Sequence, residues 1–416
     1  MQPELEYLFR HALIQDAAYG SLVKQDRKRL HWAVGETLER VCAERQEELA
    51  PVLAWHFAEA GDDERALKYF TLAGEVTARA YANAEAAGHY AQAIAIALRA
   101  THSSPRSEAE RDVSPRQLRT LYIRRGRALQ SSGQYPEAWE NYVDMERVAR
   151  AWGDPSLELA SLMEQAQLRA IFSPITDLAL ARTLLDEALA LAGELQDRKA
   201  EAQLLWTLMR ITVHSGDDPG LAIIYGERSL ALARELELSE QLAYTLNDLQ
   251  YAYASAGQID RALAVLEEAR GLWRARGNLH MLADNLNQAA AHHYYSGRFD
   301  QALALADEAL AISVPSRNDT QEILSRMILS QVYWERGRAD TVIENLELAR
   351  HTNSPLSSAA PDSVLARVYG SLGAIDRALA LAQSAYDLIR SMPLATLLGG
   401  FVGGLLVRLL VRKGEL

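Results

Sequence analysis

The sequence predicts an all-α protein built as a solenoid of helical hairpins, and three observations lead there. The 416 residues are visibly rich in Ala and Leu, hold only 6 Phe and 12 Pro, and almost lack alternating runs of β-branched residues. A glycine recurs, with a small residue five positions on and another seven further. The copies of that pattern settle into a step of 40, which is the mark of a stacked repeat.

The pattern reads Gly61, Ala66, Ala73, then Gly88, Ala93, Ala100, then Gly257, Ala262, Ala269, then Gly297, Ala302, Ala309, then Gly373, Ala378, Ala385. Gly133 with Ala138 keeps its first half, and Gly337 keeps the frame with Val342 and Ala349. Ala181/Ala188 and Ala222/Ser229 keep its second half. The first small residue falls at 66, 93, 138, 181, 222, 262, 302, 342 and 378, giving steps of 27, 45, 43, 41, 40, 40, 40 and 36. Packing explains each part. Glycine ends a helix because it takes a left-handed conformation without a Cβ clash. The next helix starts within a few residues, with Asp260, Asp300 or Asp376 near its positive end. Small residues seven apart share one helical face and let the partner helix come close. Ile259, Ala262, Leu263, Leu266, Ala269 and Trp273 show the full apolar face. A hairpin of this kind cannot bury that face alone, and stacking neighbours completes the core.

The same register reaches the tail. Gly373 plus 41 falls on Gly414, so the apolar stretch 394–413 reads as the first helix of a repeat whose partner is missing, and the chain as a fragment or a truncated product. Its glycines and Arg408 argue against a membrane span.

Composition excludes several classes. A net charge of -12 leaves no overall basic face for nucleic acid, and Arg27-Lys28-Arg29 and Arg124-Arg125 with Arg127 read as solvated helix faces. Cys42 is the single cysteine, so neither an intrachain disulfide nor a thiolate zinc cage can form, which fits a cytoplasmic protein. The N-terminus has no secretory signal pattern. No phosphate-binding glycine loop, dinucleotide fingerprint, His-Glu-x-x-His or nucleophile elbow occurs. His292-His293 is the one histidine pair, and adjacent helical residues diverge too far to share a metal easily. No catalytic residue, metal site or cofactor is expected.

A ligand would meet the first helix of each hairpin, which lines the inner side of a curved stack. Counting back from the turn glycines gives Trp206, Arg210 and His214, then Tyr244, Asn247 and Tyr251, then Asp284, Asn287, Tyr294 and Tyr295, then Met327, Gln331 and Trp334, and finally Arg367. Aromatics mixed with amides and Arg suit a groove for an extended peptide or a partner helix. Asn247 and Asn287 hold the same repeat position, where stacked amides could bond a ligand backbone.

The Gly257, Ala262, Ala269 spacing, with Leu249 and Tyr253 in the preceding helix, resembles the tetratricopeptide repeat across residues 47–416. That resemblance implies a right-handed array, though most steps exceed the usual ~34 residues and look like the longer repeats of bacterial regulatory ATPases. Residues 1–46 stand outside the repeat. The string Phe9-Arg10-His11-Ala12-Leu13-Ile14-Gln15-Asp16-Ala17-Ala18-Tyr19, with Arg29-Leu30-His31, resembles the end of the winged-helix region in signal-transduction ATPases with numerous domains, including regulators that also carry a class III nucleotide cyclase. By that resemblance His11 matches a histidine that contacts ADP phosphate, although Ala12 stands where the related motif has an acid. The implied function is a sensor and protein-interaction arm of a signalling ATPase. Its ligand would be a protein, a peptide or a small-molecule effector, and any ATPase or cyclase activity would lie in domains outside this chain. The alternative is a free-standing adaptor of the same repeat type.

Overall fold

The computed structural model describes residues 17, 19–102, 114–170, 173–350, 355–390 and 396–416. His11 lies outside them. Among the described residues every regular element is a helix. The chain divides into two compact units, Met1–Arg169 and Ala170–Leu416.

The first unit holds α1 (Lys24–Val41), α2 (Gln46–Ala60), α3 (Asp63–Arg79), α4 (Asn83–His102), α5 (Pro115–Ser131), α6 (Tyr135–Trp152) and nearly all of α7 (Pro155–Ala170). Its core centres on Phe57, Tyr69, Tyr122, Tyr142 and Met145, all fully buried. The second unit holds α8 (Leu178–Glu194), α9 (Arg198–Ser215), α10 (Pro219–Glu235), α11 (Ser239–Ser255), α12 (Ile259–Arg276), α13 (Leu279–Tyr295), α14 (Phe299–Ser313), α15 (Asp319–Glu335), α16 (Ala339–Ala349), α17 (Pro355–Ser371), α18 (Ile375–Arg390) and α19 (Thr396–Lys413). Each of these helices packs on the next, and the first helices also touch one another, α9 on α11, α13 on α15 and α15 on α17. Order along one axis follows from short connections between amphipathic helices.

The small-residue stripe lies where the pattern places it. Ala66, Ala73, Ala138, Ala181, Ala188, Ala222, Ala262, Ala269, Ala302, Ala309, Ala378 and Ala385 are fully buried. Ser229 stands in the same stripe, and its hydroxyl is satisfied by the carbonyl of Ala202 at 2.7 Å. Gly61, Gly133, Gly216, Gly257, Gly297, Gly337 and Gly373 all have positive φ between the helices of a hairpin. Gly88 does not. It sits inside the continuous helix α4, and the nearby reversal of chain direction uses Tyr81, at φ 60°. Counted from Tyr81, the small residues are Ala86 and Ala93, both buried, and the steps become 20 and 52.

A second set of turns joins one hairpin to the next. Its left-handed residues are Gly153, Gln196, Glu237, Gly277 and Arg317. They repeat in the same frame as the glycine turns, about twenty residues later. Each is followed by an amide that bonds back to the preceding helix, as Asp197 to Ala192 and Leu238 to Ala233, both at 2.9 Å. Three of the five are not glycine, so composition alone does not reveal them.

The C-terminal helix α19 buries Leu405 and Leu409 against α17 and α18, and Val402 against Ala385 and Ile389. Gly414 takes φ 82° directly after it. No described helix is long and apolar enough to cross a membrane.

Candidate functional site

Two faces of the first helices in the second unit must be told apart. Counted back from Gly216, Gly257, Gly297 and Gly337, positions thirteen, nine, six and two residues earlier share one stripe, being spaced by four, three and four. The stripe carries Arg210 and His214 on α9, and Tyr244, Asp248 and Tyr251 on α11. It continues with Asp284, Gln288 and Tyr295 on α13, and Gln331 and Glu335 on α15. All of these side chains are at least partly open to solvent.

Positions ten and three residues before the glycine point elsewhere. At four of these eight positions the side chain donates to the first helix of the following hairpin. Trp206 Nε1 donates to Asp248 at 2.9 Å, and Asn247 Nδ2 to Asp284 at 3.1 Å. Asn287 Nδ2 donates to the Gln321 carbonyl at 3.0 Å and to its side-chain oxygen at 2.9 Å. Tyr294 reaches Glu335 at 3.4 Å. The acceptor sides of the two amides are taken as well, Asn247 Oδ1 by Asn285 at 3.0 Å and Asn287 Oδ1 by Ser325 at 2.8 Å. Asn247 and Asn287 are therefore buried struts between hairpins. The ladder of amides facing a ligand that the sequence suggests is instead consumed by the protein. Trp334 packs beside the core cluster of Val342, Leu365 and Leu405, while Gln331 borders an open recess of about 190 Å³ with Asn287, Gln288, Ala291, Tyr295 and Met327.

The open stripe has a definite electrostatic pattern. The Arg210 guanidinium lies 5.0 Å from the Trp206 ring centre and 3.6 Å from Asp248. Trp206 and Tyr244 have ring centres 5.9 Å apart, and Tyr244 meets Trp273 edge-on at 5.0 Å. Burial raises the Asp248 carboxyl above its ordinary value, and Arg210 and the indole N–H counter this only in part. Burial, then Asp284 and Asp248, hold the Tyr251 hydroxyl far above its usual range, so it stays a neutral donor. Asp284 is held by two neutral amides, Asn247 and Gln321, the latter at 3.2 Å. A second recess, of about 440 Å³, opens between α9 and α11 and is bordered by Lys199, Gln203, Trp206, Tyr244 and Arg276.

Asp248 and Gln288 were not singled out from the sequence. They occupy one repeat position, nine residues before the glycine, while the sequence reading followed the aromatics and amides a single residue away. The spacing of four, three and four through Tyr244, Asp248, Tyr251 and Ser255 is the signal that finds them.

The remaining candidates are accounted for locally. His292 Nε2 meets Gln250 at 2.5 Å, and among the described residues no three His, Cys, Asp or Glu side chains gather to hold a metal ion. Within the basic clusters Arg29 pairs with Asp26 at 3.5 Å, Arg124 with Glu75, and Arg127 with Glu164 at 3.9 Å.

No protein-family model and no curated protein matches the chain. Solved structures do. A Signal Transduction ATPase with Numerous Domains (STAND) protein with a tetratricopeptide repeat sensor, from Pyrococcus horikoshii, aligns at 14% identity and TM-score 0.52 over 80% of this chain. The chain spans only 50% of that protein. A Rap protein complexed with Competence and Sporulation Factor aligns at 13% identity and TM-score 0.52, over 88% of this chain and 98% of that one. The apo form of the quorum sensor NprR from B. thuringiensis aligns at 11% identity and TM-score 0.51, over 81% and 90%. The fold is thus an all-α, tetratricopeptide-like solenoid.

Proposed function

We propose that this protein is a non-catalytic sensor or adaptor that binds an extended peptide, or an extended segment of a partner protein, along the first-helix stripe of residues 198–335. The observation that carries the reading is the open row Tyr244, Asp248, Tyr251, Asp284, Gln288 and Tyr295. Aromatic surface and hydrogen-bonding groups alternate there on the helices and stand at least partly open to solvent. Asp248 already has Arg210 beside it, whereas among the described residues Asp284 is held by amides. The ligand is accordingly one that brings a basic side chain to Asp284 and lays an apolar group on Tyr251 or Tyr295. In this reading Arg210, Tyr244, Tyr251 and Gln331 face the ligand. Trp206, Asn247, Asn287, Tyr294 and Trp334 hold the helices that present them.

The parent assembly we favour is a cytoplasmic signalling ATPase with this array as its sensor arm. The resemblance around His11 supports it, as does the fold shared with the tetratricopeptide sensor of the STAND protein. The free-standing adaptor is the second reading, favoured by alignment over 98% of the Rap protein. An in-frame ATPase module upstream in the gene would decide for the first.

The binding face is tested with fluorescein-labelled pentapeptide pools fixed at the centre as Arg, Gln or Asp, titrated against the full chain by anisotropy. The Arg pool should bind best, and Tyr251→Ala and Asp284→Asn should each weaken it about tenfold, on the scale of ~1.4 kcal/mol. Binding unchanged in both variants would remove the assigned surface.

A further inference from the structure

In the first unit, α1 and the segment just before it meet α2 through a chain of three hydrogen-bonding side chains. Tyr19 Oη lies 2.9 Å from His31 Nε2, and His31 Nδ1 lies 3.0 Å from His56 Nδ1. His31 is buried, and Trp55 closes over it edge-on at 4.7 Å between ring centres. Two nitrogens at that distance hold one proton between them. In one arrangement Tyr19 donates to His31 and His31 donates to His56. In the other, His56 donates to His31, whose Nε2–H then donates to Tyr19. One added proton still fits, because His31 can carry both of its protons while His56 accepts. A second added proton puts two N–H groups face to face, and the contact becomes repulsive.

We propose that the Tyr19–His31–His56 chain is a proton-operated latch that holds the N-terminal half of α1 on α2 and releases it when both imidazoles become cations. The rest of α1 has separate anchorage. Gly35 lies so close to Phe57 that a Cβ there would stand 3.0 Å from the ring, and Glu39 accepts from Tyr69, Arg65 and Lys68 of α3. Release therefore swings the first turns, residues 24–31, about a fixed second half.

The charged neighbours set the direction. Burial lowers the basicity of His31, Glu59 of α2 opposes that, and Arg27 of α1 adds to it. Burial and the facing His31 lower His56. Both values lie below the unfolded reference of about 6.5. The unfolded state thus takes protons first, so the stabilisation is fully present above about pH 6.5 and is lost as pH falls through the lowered folded-state values. The two rings titrate as a pair.

Hydrogen exchange on the full chain tests this, with rates corrected for the chemical effect of pH. Between pH 7.5 and 5.0 the amides of residues 27–33 should lose at least tenfold more protection than those of α11. His56→Gln keeps an acceptor for His31 but cannot take the proton, and it should abolish that excess. NMR titration of the two rings in the wild-type chain supplies a second readout that does not depend on the variant folding, and should show two coupled steps, both below 6.5. Independent titration at the ordinary value, or an undiminished pH response in His56→Gln, overturns the latch.

Discussion

Trp206 gives its indole N–H to Asp248, one hairpin further along, at 2.9 Å. The bond fixes a carboxylate in the open stripe by means of a side chain that itself points between hairpins. It also leaves the carboxylate costly, because burial raises its proton affinity more than Arg210 and Trp206 lower it.

Asp248→Asn separates those two effects. The amide oxygen can still accept from Trp206, and the charge is gone. An acid whose folded-state value is raised weakens the fold while ionised, and the fold regains stability as pH falls through that value. The variant should therefore be as stable as the wild type at pH 7, or more stable by up to about 1 kcal/mol, with the difference closing in acid. Binding of the Arg-centred peptides should fall. Urea midpoints at pH 7 and 4.5, set beside anisotropy, measure both.

Asn287→Ala tests the strut. Removing the amide leaves the Gln321 side-chain oxygen without its donor in the buried interface between α13 and α15, while the Ser325 hydroxyl still donates to the Gln321 carbonyl at 2.8 Å. A loss of about 1–3 kcal/mol is expected, read as a lower urea midpoint with the slope unchanged. A midpoint equal to the wild type would mean that the side chain carries no structural load.

Gly126→Ala should cost about 1–3 kcal/mol. An added methyl there would overlap the phenol of Tyr142, which is fully buried and bonded to Gln130 at 3.2 Å. The same added carbon at Gly133, which meets no atom within 4 Å, would be penalised only for its positive φ of 76°. Thermal midpoints of the two alanine variants compare overlap with backbone strain.

Glu237→Gly should stabilise. Its φ of 54° is left-handed, which costs an L-residue about 1–2 kcal/mol, while glycine's extra chain entropy returns about 0.5–1 kcal/mol of that. A net gain of about 0.5–1 kcal/mol follows. A lower midpoint in Glu237→Gly would show that the glutamate makes a contribution its backbone strain conceals.

The repeat was legible in the sequence because close packing leaves few choices. Ala262 and Ala269 are fully buried, and Gly257 is left-handed. The second set of turns was not legible, because Gln196, Glu237 and Arg317 accept the same strain without announcing it. Gly88 misled for the complementary reason, since a helix interior tolerates glycine at modest cost. The candidate site was half legible. Tyr244, Tyr251 and Asp284 fell on the open stripe, while Asn247 and Asn287 sit one residue off it. On a helix one residue is about 100° of rotation, enough to turn a ligand contact into an internal brace.

The line Asn247–Asp284–Gln321–Asn287–Ser325 runs through α11, α13 and α15 without a break. Any cation that draws on Asp284 loosens its grip on two amides at once, each rooted in a different layer. Under the proposed function, occupancy at that single carboxylate would be felt in three layers at once. In the proposed binding mode a bound peptide would thus be reported through side-chain contacts among α11, α13 and α15, without a hinge.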